Sequence, residues 1–358
     1  MVVQVDILHP AHLNFFKNVI KTLEMNDVDV VISVLDRGKV PKIVRKEFPD
    51  KEVHVIGRHR GTKFSIIFEA NFRRFFQMFF LLLKHKPKIG LSVGSFIMGF
   101  GLQLLSRKNY QVDDDPERFF NVLLEKWTSS KLYFPPDVHA DHPKVNNFNC
   151  LKEWAYLSPK YFRPDEEVLE EYDLPKNGYI FIREVSTGSL NYINEAKNPI
   201  ASISHGFPEN HPVLLSLEDK STRDQYPSHW TILEEPVRDI HSLMYFSKCL
   251  ISSGDSMARE GGMLGKPAVY CGGREMHANR LLIDKSMLLH LGIEETLRFV
   301  NRLAKGEVEW ESQGMLRNQL LEEWDDINEL LLRQLEEDLG IPLKNKARSI
   351  VSTVPKIN

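Results

Sequence analysis

Residues 249–267 read CLISSGDSMAREGGMLGKP. Cys249 to Ser252 is an apolar run short enough to be a buried parallel strand, and Ser253 with Gly254 makes a tight turn. The stretch from Ser256 to Leu264 suits a helix, and Gly265 and Pro267 end it before the next apolar run. Strand, turn, helix and returning strand in so few residues form a crossover unit, so a parallel α/β sheet follows. Ser253, Gly254 and the amides of Asp255 and Ser256 then lie at a helix N-terminus, where unbonded N–H groups and the helix dipole favour a phosphate. Glu260, about one and a half turns further on, can accept hydrogen bonds from a ribose. Asp255 can cap the helix, but its charge repels a diphosphate unless it points away. An ordinary capped helix is the competing reading.

The same rhythm extends in both directions. Strand patterns near residues 2–8, 28–35, 52–57, 88–93, 109–113 and 131–134 alternate with helical ones near 12–25, 39–47, 63–85, 96–106 and 116–127. Leu13, Phe16, Val19, Ile20 and Leu23 recur at spacings of three and four. Prolines at 135, 136, 143, 159, 164 and 175 then interrupt the pattern, which predicts a boundary. A second set of strands begins with the run from Gly178 to Arg183 and continues near 213–217, 230–233, 249–252 and 267–270, with a last long helix over 313–337. The expected architecture is α/β, with two Rossmann-type domains facing a cleft where ligands gather beyond the strands' carboxyl ends. Residues 1–150 are the first domain, 151–175 a linker, 176–340 the second domain and 341–358 a helix or tail.

With 46 Lys and Arg against 49 Asp and Glu, the net charge of −3 excludes a general nucleic-acid binder. Cys150, Cys249 and Cys271 lack the spacing of a disulfide framework or zinc knuckle, which fits a cytoplasmic protein. The opening residues carry no leader pattern. Phenylalanines 64, 68, 72, 75, 76, 79 and 80 make a helical stripe over residues 63–86, interrupted by Glu69, Asn71, Arg73, Arg74 and Gln77, so the segment is too polar to span a bilayer. It reads as a core helix or, with Arg73, Arg74, Lys84 and Lys86 beside it, as a peripheral membrane contact.

Three further motifs bear on chemistry. His9-Pro10-Ala11-His12 follows the first strand and opens the first helix, so either histidine can contact substrate or transfer a proton near neutral pH, or simply cap the turn. Asp113, Asp114, Asp115 and Glu117 crowd the end of a strand, so one is expected to have a raised pKa unless partners intervene. Acids beginning a helix at Pro116 are the plainer account. Gly94, Gly99 and Gly101 do not follow a dinucleotide fingerprint and are expected to allow close helix packing. His139, Asp141 and His142 have metal-compatible side chains without an implied geometry, and no metal site is expected.

His9-Pro10-Ala11-His12 with Asn14-Phe15-Phe16-Lys17-Asn18, Leu151-Lys152-Glu153-Trp154-Ala155-Tyr156-Leu157, Phe181-Ile182-Arg183 and the stretch from Ser253 to Glu260 together resemble an uncharacterised prokaryotic family grouped with GT-B glycosyltransferases. The stretch ending at Glu260 is also similar to the donor-binding turn of the N-acetylglucosaminyltransferase that makes lipid II. One residue out of register, it resembles the nucleotide site of the non-hydrolysing UDP-N-acetylglucosamine 2-epimerases. The resemblance implies a nucleotide diphosphate sugar, UDP-linked, held by Ser253, Gly254, Ser256 and Glu260, with Asn279 on sugar hydroxyls and Arg183 clamping phosphate. It implies a metal-independent transferase without a cofactor, moving the sugar to a glycan or lipid-linked acceptor in polysaccharide biosynthesis. His12 or Asp114 would be the base, and His9 would contact substrate. An epimerase would use Asp114 and Glu117, yet Gly94-Ser95-Phe96 offers no carboxylate where that family has a third. A non-catalytic nucleotide-sugar binder is the remaining alternative.

Overall fold

A computed structural model describes residues 1–58, 71–116, 118–139, 141–186, 196–234 and 237–344. They divide into two compact units, one of Met1–Tyr156 with the chain from Glu323 onward, the other of Leu157–Glu322.

The first unit is built on β1 (Val2–Ile7), β2 (Asp29–Asp36), β3 (Val53–Arg58), β4 (Ile89–Val93), β5 (Lys108–Val112), β6 (Lys131–Phe134) and β7 (Val145–Asn147). The order is β3-β2-β1-β4-β5-β6-β7, with every pairing parallel. Order reverses at the β1/β4 boundary, the switch point where doubly wound sheets bind ligands. Helix α1 (Pro10–Glu24) turns Leu13, Phe16, Val19, Ile20 and Leu23 inward. Each such fully buried side chain contributes about 1.5–3 kcal/mol over leaving it in water. Helices α2 (Val40–Glu47), α3 (Arg74–His85), α4 (Phe96–Leu104) and α5 (Phe119–Thr128) complete the crossovers. Residues 63–70 of the expected 63–86 helix lie outside the described residues. Gly99 and Gly101 do admit close packing: a Cβ on Gly99 would lie 2.5 Å from Asn109 Nδ2, and one on Gly101 2.8 Å from Leu82 Cδ1.

The second unit carries β8 (Ile180–Glu184), β9 (Val213–Leu217), β10 (Thr231–Ile232), β11 (Cys249–Ser252), β12 (Ala268–Tyr270) and β13 (Leu289–His290), again all parallel, in the order β10-β9-β8-β11-β12-β13. Its switch point is between β8 and β11. After the short α6 (Trp154–Leu157) come α7 (Ile240–Tyr245), α8 (Asp255–Met263), α9 (His277–Ile283), α10 (Ile293–Ala304) and α11 (Gln313–Glu323).

Three expectations are corrected. The helix expected over 313–337 is two helices, α11 and α12 (Ile327–Leu339), because Asp326 leaves the helical path and its side chain caps the Glu329 amide. Helix α12, expected in the second domain, belongs to the first unit. Lys88 Nζ donates to the Leu339 carbonyl at 2.9 Å, and Asn328 Nδ2 to the Ala155 carbonyl at 2.8 Å. The first sheet ends with β7, within the expected first domain, and the units divide after Tyr156 rather than along a linker to residue 175.

Candidate functional site

Polar side chains converge at the carboxyl ends of β1, β4 and β5 in the first unit. His9 caps α1, its Nδ1 accepting the Ala11 amide at 3.3 Å. His12, one turn on, is half-buried, and its Nδ1 accepts the Leu8 amide at 3.4 Å. Burial first, then His9, Lys152 and Arg118, push its pKa well below 6.5, against an upward pull from Asp114. His12 is therefore neutral at pH 7, and with Nδ1 accepting, its proton sits on Nε2.

The three aspartates are each given a cation. Asp113 is buried, accepts the amides of Asp114 and Asp115 at 2.8 and 3.1 Å, and receives both oxygens' worth of contact from Arg118 Nη2 at 2.8 and 2.9 Å. Arg118 Nε lies 3.4 Å from Asp115, and Lys152 Nζ donates to Asp114 Oδ2 at 2.5 Å. Glu117 lies outside the described residues. Close to this cluster a raised pKa is found on Glu125, from the inward face of α5. Its carboxyl is completely buried and pushed well above 4.5 by burial and then by Asp113. Periodicity did signal it, since Val122, Glu125 and Thr128 share the buried face of α5. Lys152 is not legible as a partner because nothing local in sequence ties it to Asp114, 38 residues away.

A group whose folded pKa is raised stabilises the fold below its unfolded pKa, and that contribution is lost as pH rises toward the folded value. Glu125→Gln is therefore expected to leave stability almost unchanged below pH 4.5 and to raise it progressively above, relative to the parent. Denaturant melts at a series of pH values measure this, and parallel curves for the two proteins would refute it.

In the second unit, Ser253 and Gly254 leave β11 and α8 starts at Asp255. Gly254 is the N-cap, but its amide is taken by Ser252 Oγ at 3.0 Å. The amides that face outward without an intrahelical acceptor are thus those of the first turn, Asp255 to Met257. Ser256 is exposed there. Asp255 is buried and its carboxylate is held by Arg274 Nη1 at 2.9 Å, so the repulsion anticipated from the sequence is met by a cation. Glu260 is nearly buried, its Oε1 3.4 Å from His241 Nε2.

Beside this helix start is a cavity of about 460 Å³, lined by loops that follow four strands: Val185 after β8, Ser253 after β11, Cys271 to Gly273 after β12, and Leu291 to Ile293 after β13. Gly272 sits there because a Cβ would fall 2.5 Å from the Ser253 carbonyl oxygen. The Ser253 hydroxyl accepts the Val185 amide at 2.9 Å, tying two of these loops together. His290, at the rim, bonds the Gly272 carbonyl at 2.8 Å.

Two expected contacts are located elsewhere. Asn279 is buried on α9, its Oδ1 accepting from Arg259 Nη1 at 3.0 Å, because its helix turns it toward α8. Arg183 leans toward β9, donating to Ser216 Oγ at 3.1 Å and Glu218 at 3.3 Å, since its register partner there offers acceptors. Of the donor contacts expected from the sequence, Ser253 lines the cavity, and Gly254, Ser256, Glu260, Asn279 and Arg183 do not. Among the described residues, no group of three or more His, Cys, Asp or Glu is placed to share a metal ion. No described helix is long and apolar enough to cross a membrane.

A family model described as "Protein of unknown function (DUF354)" matches residues 1–123 and 136–337. An uncharacterised protein of Methanocaldococcus jannaschii is 24% identical over 324 residues, covering 83% of this chain and 90% of its own length. Among solved structures, the UDP-GlcNAc 2-epimerase of the same organism, in complex with UDP-GlcNAc and UDP, is similar with a TM-score of 0.69 at 13% identity, covering 94% of this chain and all of that one. The spinosyn forosaminyltransferase SpnP has a TM-score of 0.64 at 12% identity, with 95% and 99% covered. These likenesses establish the α/β fold with two parallel sheets shared by GT-B transferases and 2-epimerases, and the chemistry has to be argued from the residues.

Proposed function

We propose that this chain, which belongs to the DUF354 family of proteins of unknown function, is a GT-B-type glycosyltransferase that takes its sugar from a UDP-sugar. The observation carrying this reading is the cavity of the second unit opening beside the first turn of α8. A nucleoside fits a space of that size among backbone-rich loops, and the adjoining amides suit its diphosphate. Ser253, Ser256 and Glu260 are the proposed donor contacts.

The first unit supplies the acid–base groups. His12, neutral and protonated on Nε2, is a hydrogen-bond donor, so Asp114 is the group of the two that can take a proton. The acceptor hydroxyl oxygen bonds to the anomeric carbon as the carbon–oxygen bond to UDP breaks. The electron pair leaves on the diphosphate, for which the amide-rich start of α8 is the proposed stabiliser, and the hydroxyl proton passes to an acceptor-side base. Every step is assigned to side chains or backbone, so neither cofactor nor metal is required.

Epimerisation at C2 is a second reading, favoured by one observation. Glu125 Oε1 lies 3.3 Å from where a Gly94 Cβ would be, bringing a carboxyl to the place where the sequence after β4 has none. Its complete burial restricts it to acting through neighbours.

Thermal melts with a panel of nucleotides test the donor site. A UDP-sugar at a hundredfold its Kd should stabilise the protein by about 2.7 kcal/mol, and Glu260→Ala should remove most of that shift. No shift with any nucleotide would refute the reading. UDP release only when an acceptor is added identifies transfer, whereas turnover without an acceptor identifies epimerisation and binding without turnover a non-catalytic binder.

A further inference from the structure

We propose that the outer face of α3, α4 and α5 docks on the surface of a bilayer carrying anionic headgroups. Every exposed phenylalanine or tryptophan among the described residues is on α3, on α5 or in the turn that precedes α3: Phe72, Phe76, Phe80, Phe119, Phe120 and Trp127. Phe120 is 77% exposed and Phe119 69%. On α3 the apolar side chains are distributed on both sides. Met78, Leu81 and Leu82 face the sheet together with Arg74, and Phe72, Phe76, Phe80 and Leu83 repeat along the opposite side.

Ring contacts join the helices into one surface. Phe72 meets Phe76 at 5.1 Å, Phe76 meets Phe75 at 5.4 Å, Phe75 meets Phe100 of α4 at 5.4 Å, and Phe100 meets Trp127 of α5 at 5.5 Å. An exposed aromatic patch of this extent is costly in water and marks a docking surface.

Charge identifies the occupant. From Asn71 to Val112 the sequence has no Asp or Glu, in a chain that has 49 of them. Arg73, Lys84, Lys86 and Arg107 are exposed along the same stretch, whereas Lys88 and Lys108 are directed to α12. The single acid on α5, Glu125, is buried. Among the described residues, aromatic rings beside basic side chains, with no exposed acid on α3, α4 or α5, complement an anionic lipid surface. Pairing with a second copy would bring two basic margins together, which opposes that alternative.

The test uses the full chain and vesicles of phosphatidylcholine, alone or with about one-third phosphatidylglycerol. Co-sedimentation is expected with the anionic vesicles and is expected to weaken as salt rises. Phe119→Ser with Phe120→Ser should reduce the bound fraction's partition constant at least about tenfold. Lys84→Glu with Lys86→Glu should abolish the preference for anionic vesicles. All four side chains are exposed, so circular dichroism and thermal midpoints should match the parent, and either variant can carry the test. The proposal is overturned if the parent ignores both vesicles, if it binds neutral and anionic ones equally, or if both variants bind as the parent does. It is equally overturned if the parent is a dimer that Phe119→Ser with Phe120→Ser makes monomeric. No nucleotide is present in the assay, so its failure leaves the donor-site reading standing.

Discussion

Arg74→Met is expected to cost the first unit about 3–5 kcal/mol, because it leaves a carboxylate buried without its cation. Asp6 is completely buried near the carboxyl end of β1, and Arg74 Nη2 donates to its Oδ2 at 2.5 Å. Ser95 Oγ donates to the same oxygen at 2.5 Å and Ser33 Oγ to the other at 2.7 Å. The hydroxyls satisfy lone pairs but do not neutralise charge. Gly57 makes the arginine's approach possible. It has a φ of +70°, and a Cβ there would lie 2.7 Å from Arg74 Cδ. The prediction has an internal control, since replacing both partners with apolar groups removes the unpaired charge. Asp6→Leu with Arg74→Met should recover much of the loss, and denaturant unfolding monitored on the first unit measures both. A loss below about 1 kcal/mol in the single variant would mean that water reaches Asp6.

This network also explains the limits of reading the sequence. Apolar runs locate β1, β2, β4, β9 and β11 because both faces of a parallel strand are buried. β7, with three residues, and β13, with two, hold their places by register alone and leave no periodic trace. The break between α11 and α12 depends on Asp326 capping and on Trp154 packing edge-on against Trp324 at 5.5 Å, a contact between positions far apart in the chain. Site residues divide in the same way. His9, His12, Ser253 and Ser256 are set by their own turns and could be located from spacing. Lys152 beside Asp114, Glu125 beneath Gly94 and Arg274 on Asp255 depend on loops that meet only after the sheets form. Asn279 and Arg183 show the converse. Arg183 lies within β8 and Asn279 on α9 after β12, and the direction of each side chain is set by hydrogen-bond partners on neighbouring elements.

The Asp255–Arg274 pair leads to the sharpest test of where a diphosphate would sit. Asp255 occupies the first position of α8, where a carboxylate is favoured by the helix dipole but competes with any anion bound there. With Arg274 at 2.9 Å the pair is neutral overall, and the amide-rich start of the helix remains attractive to phosphate. Arg274→Met exposes the aspartate's charge and removes a cation. At an effective dielectric near 20, one unit charge about 6 Å away contributes about 3 kcal/mol, and solvent at the rim reduces this. UDP should therefore bind about ten- to a hundredfold more weakly to Arg274→Met, whereas uridine, which has no charge to repel, should bind as it does to the parent. Adding Asp255→Asn to Arg274→Met should restore most of the UDP affinity. Titration calorimetry with the two ligands separates the possibilities. If uridine and UDP lose affinity together, Arg274 shapes the cavity; if neither changes, the diphosphate is held away from α8 and the leaving-group role assigned to that helix fails.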